Sequence, residues 1–262
     1  MSTHRIALHQ NAGRPGEPAA QLASLAAAAG AAAGAGARIV VCPELYMTGY
    51  NIGARIRTLA EPQGGPFMAA VAGIARTSRV AIVYGYPERD GGHFYNAAAV
   101  VGADGTLAAN YRKVHLIGAL EYETFGRGRE IVVAEVDGLR VAPMICYDVE
   151  FPEMARAAAL RGAQAIVAPT ALRHRYAYLA RTMIPTRAFE NGIYAAYANH
   201  AGAEDDWHYC GLSLVAGPDG SVVQAAGDQP ELVIAEIDTD RIAAAQAELP
   251  YLRDLRPSVY GR

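Results

Sequence analysis

The stretch IVVAEVDGLRVAPMICYDVEFPEMARAAALRG, residues 131–162, contains both kinds of connection from which the fold is built. Residues 131–136 and 139–145 are apolar runs separated by Asp137-Gly138, a dipeptide that closes a tight β-hairpin. The second run leads through Cys146, Tyr147 and Asp148 to Pro152, whose fixed φ suits the first turn of a helix. Gly162 marks the end of that helix. A hairpin and a strand-to-helix unit in one segment point to an α/β fold with mixed sheets.

The same alternation continues on both sides. Upstream, 5–9 reads as a short strand, 19–37 as an Ala-rich helix, and 38–42 as a β-branched run ended by Pro43. Residues 80–86 and 95–102 read as strands, with a loop at 89–92 between them. Downstream, 165–168 is a buried strand and 176–191 a helix that Pro185 is expected to kink or split. Residues 193–198, 212–216, 221–225 and 232–237 complete the strands, two of them joined by the turn Gly217-Pro218-Asp219-Gly220. There is no linker, no charge block and no repeat of roughly 20–50 residues. Residues 1–262 are therefore expected to form a single α/β domain, with layered sheets and helices outside.

Composition narrows the function. The chain of 262 residues carries 23 Lys plus Arg against 26 Asp plus Glu, a net charge of -3, which gives no support to a nucleic-acid or acidic-lipid partner. With 52% hydrophobic and 19% charged residues it is globular rather than disordered. Cys42, Cys146 and Cys210 make an odd count with no C-x-x-C pair, so a disulfide framework or zinc ribbon is not expected, and a reducing, cytoplasmic compartment is. The start, MSTHRIALHQ, lacks the basic and apolar regions of a signal peptide. The uncharged run 19–37 imitates a membrane span, but Ala and Gly are only weakly apolar, and it reads as a helix packed on a sheet. Of the 23 basic residues 22 are Arg; Lys113 is the only lysine.

Several familiar sites are missing. The Gly-rich run 30–36 lies at a helix end, not between strand and helix, so it is no dinucleotide loop. Neither G-x-x-x-x-G-K-[ST] nor G-x-S-x-G occurs. The seven histidines fall at no metal-ligand spacing, and no metal is expected. What remains is three residues placed alike, each just past the end of an extended run: Glu44 after RIVVCP, Lys113 after LAANYR, and Cys146 after VAPMI. The carboxyl ends of strands are where ligand sites form in layered α/β folds. A thiol, an amine and a carboxylate so placed suit a cysteine hydrolase that works without histidine. The ammonium stabilises a thiolate, and the carboxylate moves its proton. Each has a plainer reading too: Cys146 as a packing residue, Glu44 as a helix cap, Lys113 as a surface charge.

The blocks CPELYMTGYN (42–51), YRKVHL (111–116) and ICYDVEFPE (145–153) closely resemble, in order and separation, the three signatures of the nitrilase, or carbon–nitrogen hydrolase, superfamily. The resemblance spans essentially the whole chain, to the ending LPYLRDLRP. It implies a Glu–Lys–Cys triad on Glu44, Lys113 and Cys146, with Glu121 as a fourth residue. It implies an α-β-β-α sandwich, homo-oligomers formed through outer helices, and no cofactor or metal. Cys146-Tyr147-Asp148 looks like the amidase branches, and no long C-terminal extension of the spiral-forming nitrilase kind is seen. TGYNIG, IVYGYPER, AYANHAGAEDDWHYCG and PYLRDLR are most similar to the 5-aminopentanamidase branch, which serves bacterial lysine degradation. Leu172 and Arg173 depart from the Asn and Met common there.

The expected reaction is hydrolysis of a small aliphatic primary amide to acid and ammonia through a thioester on Cys146. The oxyanion would lie between the Lys113 ammonium and the Tyr147 backbone N–H. The substrate pocket is expected around Tyr50, Tyr147, Thr170, Leu172, Glu204, Asp205 and Trp207. In particular, the acidic loop Glu204-Asp205-Asp206 could meet the cationic tail of an ω-amino amide or be a solvated loop. An N-carbamoyl hydrolase, a broad or stereoselective aliphatic amidase, and a catalytically silent binding scaffold are the alternatives.

Overall fold

Asp137 and Gly138 both hold positive φ, 53° and 76°, which closes the expected hairpin in the mirror-image turn that matches strand twist. This hairpin lies at the edge of one of two six-stranded sheets in the computed structural model, which describes residues 3–224 and 227–260. The first sheet contains β1 (Thr3–Gln10), β2 (Ile39–Val41), β3 (Ala81–Asp90), β4 (His93–Val101) and β5 (Leu107–Arg112), with β14 (Glu231–Asp238) beside β1. The second contains β6 (Ala134–Val136), β7 (Leu139–Pro143), β8 (Ala165–Thr170), β9 (Tyr194–Asn199), β12 (Leu214–Ala216) and β13 (Val222–Gln224). A separate two-stranded hairpin pairs β10 (Ala203–Glu204) with β11 (Trp207–His208).

The helical crossovers sit outside. Helices α1 (Pro18–Gly34) and α3 (Pro66–Ser78) cover the first sheet, with Leu25, Ala32, Phe67 and Val71 against Ala7, Val40 and Ile82. On the second sheet, α5 (Pro152–Leu160) and α6 (Ala177–Asn191) pack Ala155, Ala158, Ile184 and Ala188 against Ala142, Ile166 and Ala195. The alternate residues, Ile6, Leu8, Ile39 and Val41 on one sheet and Val141, Ala165 and Val167 on the other, form a third core between the sheets. The result is the four-layer α-β-β-α sandwich. Shorter helices α2 (Arg55–Leu59), α4 (Gly118–Thr124) and α7 (Thr239–Glu248) complete the chain.

Two expectations change. β3 and β4 pair as far as Asp90 and His93, so the loop expected at 89–92 shrinks to a tight turn. α6 runs unbroken through Pro185, because buried Ile184 and Ala188 on either side hold it to the sheet at the cost of one backbone hydrogen bond. The expected strand end at Ala225 lies outside the described residues. The Ala-rich run forms α1, and among the described residues no helix is long and apolar enough to cross a membrane.

Candidate active site

Glu44 follows β2 by way of Cys42 and Pro43, where the chain turns over β3 at Gly85. A Cβ on Gly85 would lie 2.8 Å from Glu44 Cα and 2.3 Å from Leu45 N, so only glycine admits this close crossing. The Glu44 backbone is tied to the other sheet: its N–H donates to Thr170 O at 3.2 Å, and its carbonyl accepts from His200 Nε2 at 2.7 Å. Lys113 follows β5, which is antiparallel to β4 as β4 is to β3. β5 therefore runs in the direction of β2 and β3, and delivers Lys113 to the same end of the sheet as Glu44.

Cys146 arrives from the second sheet. It adopts φ 45° and opens a 3-10 turn, Cys146–Glu150, directly after the extended run of β7. Such a left-handed backbone is unfavourable for a side-chain-bearing residue, and buried Asp148 holds the bend around it. Asp148 Oδ2 accepts from Tyr111 Oη at 2.7 Å and Ile145 N at 3.2 Å, while Oδ1 accepts from His115 N at 2.8 Å and faces His115 Nδ1 at 3.0 Å. One carboxylate thus ties the cysteine bend to the segment that carries Lys113.

At the centre the Lys113 ammonium lies 2.7 Å from Glu44 Oε1 and 2.6 Å from Glu121 Oε1. All three residues are fully buried. Glu44 Oε1 also accepts from Asn96 Nδ2 at 2.7 Å, whereas Glu44 Oε2 has no hydrogen-bond partner. Glu121 is held by Tyr50 Oη at 2.5 Å and Ile117 N at 3.0 Å. Burial pushes the Glu44 carboxyl up, Lys113 opposes and Glu121 adds to the rise, bringing it to about 7. Burial alone would depress Lys113, but Glu44, Glu121 and Cys146 outweigh it and keep the ammonium charged. Burial, with Glu44 beside it, raises the Cys146 thiol well above its ordinary value, against the pull of Lys113, the Ala171 N–H and Thr170. At rest Cys146 is a thiol, near a carboxyl able to exchange a proton around neutrality.

Cys146 forms part of the lining of a cavity of about 520 Å³, together with Tyr50, Tyr147, Leu172 and Trp207. Thr170 lies behind this wall, its hydroxyl donating to Tyr197 Oη at 2.8 Å. The acidic loop falls elsewhere. Glu204 is buried, and its Oε2 accepts from Tyr50 N at 2.8 Å, Asn51 N at 2.7 Å and Tyr209 Oη at 3.0 Å. Asp205 occupies the exposed turn between β10 and β11, and Asp206 Oδ1 accepts from Asn51 Nδ2 at 3.2 Å. Neither Glu204 nor Asp205 lines the cavity, because the hairpin turns its acids toward the 50–51 loop. Instead the cavity carries Glu150, Arg173 and Arg175 as its charged residues. Asn96, Asp148, Glu150 and His200 are site residues that the sequence did not single out; Asp148, Glu150 and His200 stood inside quoted blocks, and Asn96 in none. Among the described residues no group of three or more His, Cys, Asp or Glu gathers as a metal site.

Residues 5–247 match the carbon–nitrogen hydrolase family. The chain belongs to that family. This carbon–nitrogen hydrolase is 42% identical to a Pseudomonas protegens protein described as a hydrolase, over 99% of this chain and 92% of the relative. It is 35% identical to an (R)-stereoselective amidase of a Pseudomonas species, over 98% and 93% of the two chains. The crystal structure of an amidase from a Nesterenkonia species superposes with a TM-score of 0.89 at 35% identity, covering 98% of this chain and 95% of that one. A variant of the Nesterenkonia amidase (TM-score 0.84, 33% identity, 98% of both chains) shows Michael addition of acrylamide at its active-site cysteine. The fold is that of the nitrilase-superfamily amidases, and the protein is a hydrolase of the amidase and nitrilase type.

Proposed function

We propose that this hydrolase cleaves a small aliphatic primary amide to its acid and ammonia, using Cys146 as nucleophile and Glu44, Lys113 and Glu121 as its charged machinery. The observation that carries the reading is the buried Glu44–Lys113–Glu121 cluster, whose one unpartnered carboxylate oxygen is Glu44 Oε2, beside a cavity lined by Cys146. In the first half-reaction Glu44 takes the thiol proton as sulfur attacks the amide carbon. The carbonyl oxygen becomes an oxyanion between the Lys113 ammonium and the Tyr147 N–H, which lies in the first turn of the 3-10 helix where backbone donors lack intrahelical partners. Collapse breaks the C–N bond, and Glu44 returns its proton to the departing ammonia. In the second half, Glu44 deprotonates a water that attacks the thioester, and the released sulfur recovers the proton. Glu121 keeps Lys113 in place and orients the amide. A carboxyl near neutrality suits both the accepting and the donating step.

An ω-amino amide such as 5-aminopentanamide is the substrate we favour, and the similarity to an (R)-stereoselective amidase makes a chiral aliphatic amide the second reading. Exposed Leu160, Phe189, Tyr251 and Tyr260, on or beside the outer helices of the second sheet, support self-association.

The test is ammonia release over a panel of amides, N-carbamoyl compounds and nitriles by the native chain and by Cys146→Ala. Turnover of amides that vanishes in Cys146→Ala, with an acyl adduct on the native protein in intact-mass spectra, is the expected result. Undiminished ammonia release by Cys146→Ala, or release confined to carbamoyl compounds or nitriles, overturns the assignment.

A further inference from the structure

We infer that Glu150 is a specificity-determining residue, which receives an alkylammonium group at the far end of the substrate from the amide. The inference deepens the amidase reading and rests on it. Glu150 closes the 3-10 turn that Cys146 opens, and both residues line the same cavity. Its backbone is fixed from behind: Arg187 Nη2 donates to Glu150 O at 2.7 Å and Nε to Val149 O at 3.0 Å. The remaining Arg187 nitrogen, Nη1, lies 3.1 Å from Glu190 Oε1, so the guanidinium is spent on two carbonyls and another carboxylate.

The Glu150 carboxylate is left half-buried, neither hydrogen-bonded nor ion-paired among the described residues. Its contrast with the other acids of the site is sharp. Glu44, Glu121, Asp148 and Glu204 each accept two or more hydrogen bonds from the protein. A partly desolvated carboxylate without a donor is unfavourable, and burial pushes its pKa up against the opposing charges of Lys113 and Arg187. A carboxylate only accepts, so the group that completes it must donate.

The rest of the cavity says what such a donor is attached to. Ile117, Leu120, Leu172 and Leu179 supply aliphatic walls, fit for a methylene chain. Among the described residues Glu150 is the only acid in the lining. The two cations of the lining are held on aromatic faces: the Arg173 guanidinium 4.1 Å from the Trp207 ring centre, and that of Arg175 4.7 Å from the Tyr176 ring centre. Among the described residues neither is ion-paired with Glu150. An amide at the sulfur, a short alkyl chain along the aliphatic walls and an ammonium on Glu150 would match these three parts of the lining.

The experiment compares kcat/KM for amides that differ only in their far end, ammonium, methyl or carboxylate, in the native chain and in Glu150→Gln. A charge-assisted contact predicts a preference for the ammonium of about ten- to a hundredfold in the native chain, collapsing in Glu150→Gln. Because each result is a ratio within one variant, a general loss of activity cancels. Titration of Cys146→Ala with the ammonium and methyl compounds reads the same preference as binding, without turnover. A preference that survives in Glu150→Gln, no preference in the native chain, or a preference for the carboxylate overturns the inference while leaving the amidase reading intact. Tighter binding of the ammonium compound by a chain that hydrolyses no amide supports the recognition site and sinks the amidase reading alone.

Discussion

The Oε2 atom of Glu204 lies 2.8 Å from the backbone nitrogen of Tyr50, and the hydroxyl of Tyr50 lies 2.5 Å from Glu121 Oε1. A buried acid on the β10–β11 hairpin is thereby connected, through one tyrosine, to the carboxylate that holds the Lys113 ammonium. Glu204→Ala should leave the N–H groups of Tyr50 and Asn51 and the Tyr209 hydroxyl without their acceptor. A stability loss of roughly 2–4 kcal/mol is expected, read from the urea midpoint. Activity should fall as well, in kcat more than in KM, since Glu204 reaches the proposed catalytic cluster through Tyr50 and does not itself line the cavity. An unchanged kcat would show that Tyr50 is held without it.

Lys113→Arg conserves charge but not shape. The ammonium occupies a fully buried place between two carboxylate oxygens at 2.7 and 2.6 Å, and a planar, larger guanidinium must displace one of them or intrude on the substrate carbonyl. We expect kcat to drop by about a hundredfold or more, the scale of losing an oxyanion donor. Steady-state ammonia release, with circular dichroism to verify folding, decides the matter. Near-native turnover would remove the ammonium from the oxyanion site.

The acid limb of the pH profile should report Glu44. A base works only when deprotonated, and burial has raised this carboxyl from 4.5 to about 7. Protonation therefore removes the base as pH falls through about 7, far above the range of an exposed glutamate. Asn96 donates to Glu44 Oε1 and favours the anion. Asn96→Leu should move the limb to still higher pH. A limb near 4.5, or one indifferent to Asn96, would assign the titration to another group.

Much of this site was legible because local rules place it. Lys113 and Cys146 stand where extended runs end, and the Cys146 bend is announced by the hairpin before it and Pro152 after it. The layered α/β fold followed from the same alternation. The split expected at Pro185 is absent because a local breaker was outweighed by tertiary packing of Ile184 and Ala188. The Glu204 loop misled for a different reason. A run of acids reads alike whether it faces solvent, ligand or protein, and the donors that claim Glu204 lie some 150 positions away at Tyr50 and Asn51. Nothing local singles out Glu150, because the sequence cannot reveal that its carboxylate has no partner. Asn96 becomes visible only once β4 is laid beside β5.

The Glu44 and Lys113 side chains hang from one sheet and the Cys146 sulfur from the other, across a core of aliphatic side chains. Aliphatic contact has no preferred direction along a strand, so the alignment of the proposed base and nucleophile rests on a few polar rivets, notably the Glu44 N–H on Thr170 and His200 on the Glu44 carbonyl. A slide of one layer past the other by about the length of a hydrogen bond would leave both ladders whole and the chemistry dead. The catalyst is in this sense a gauge of layer alignment, and its tolerance is far narrower than that of the fold that carries it.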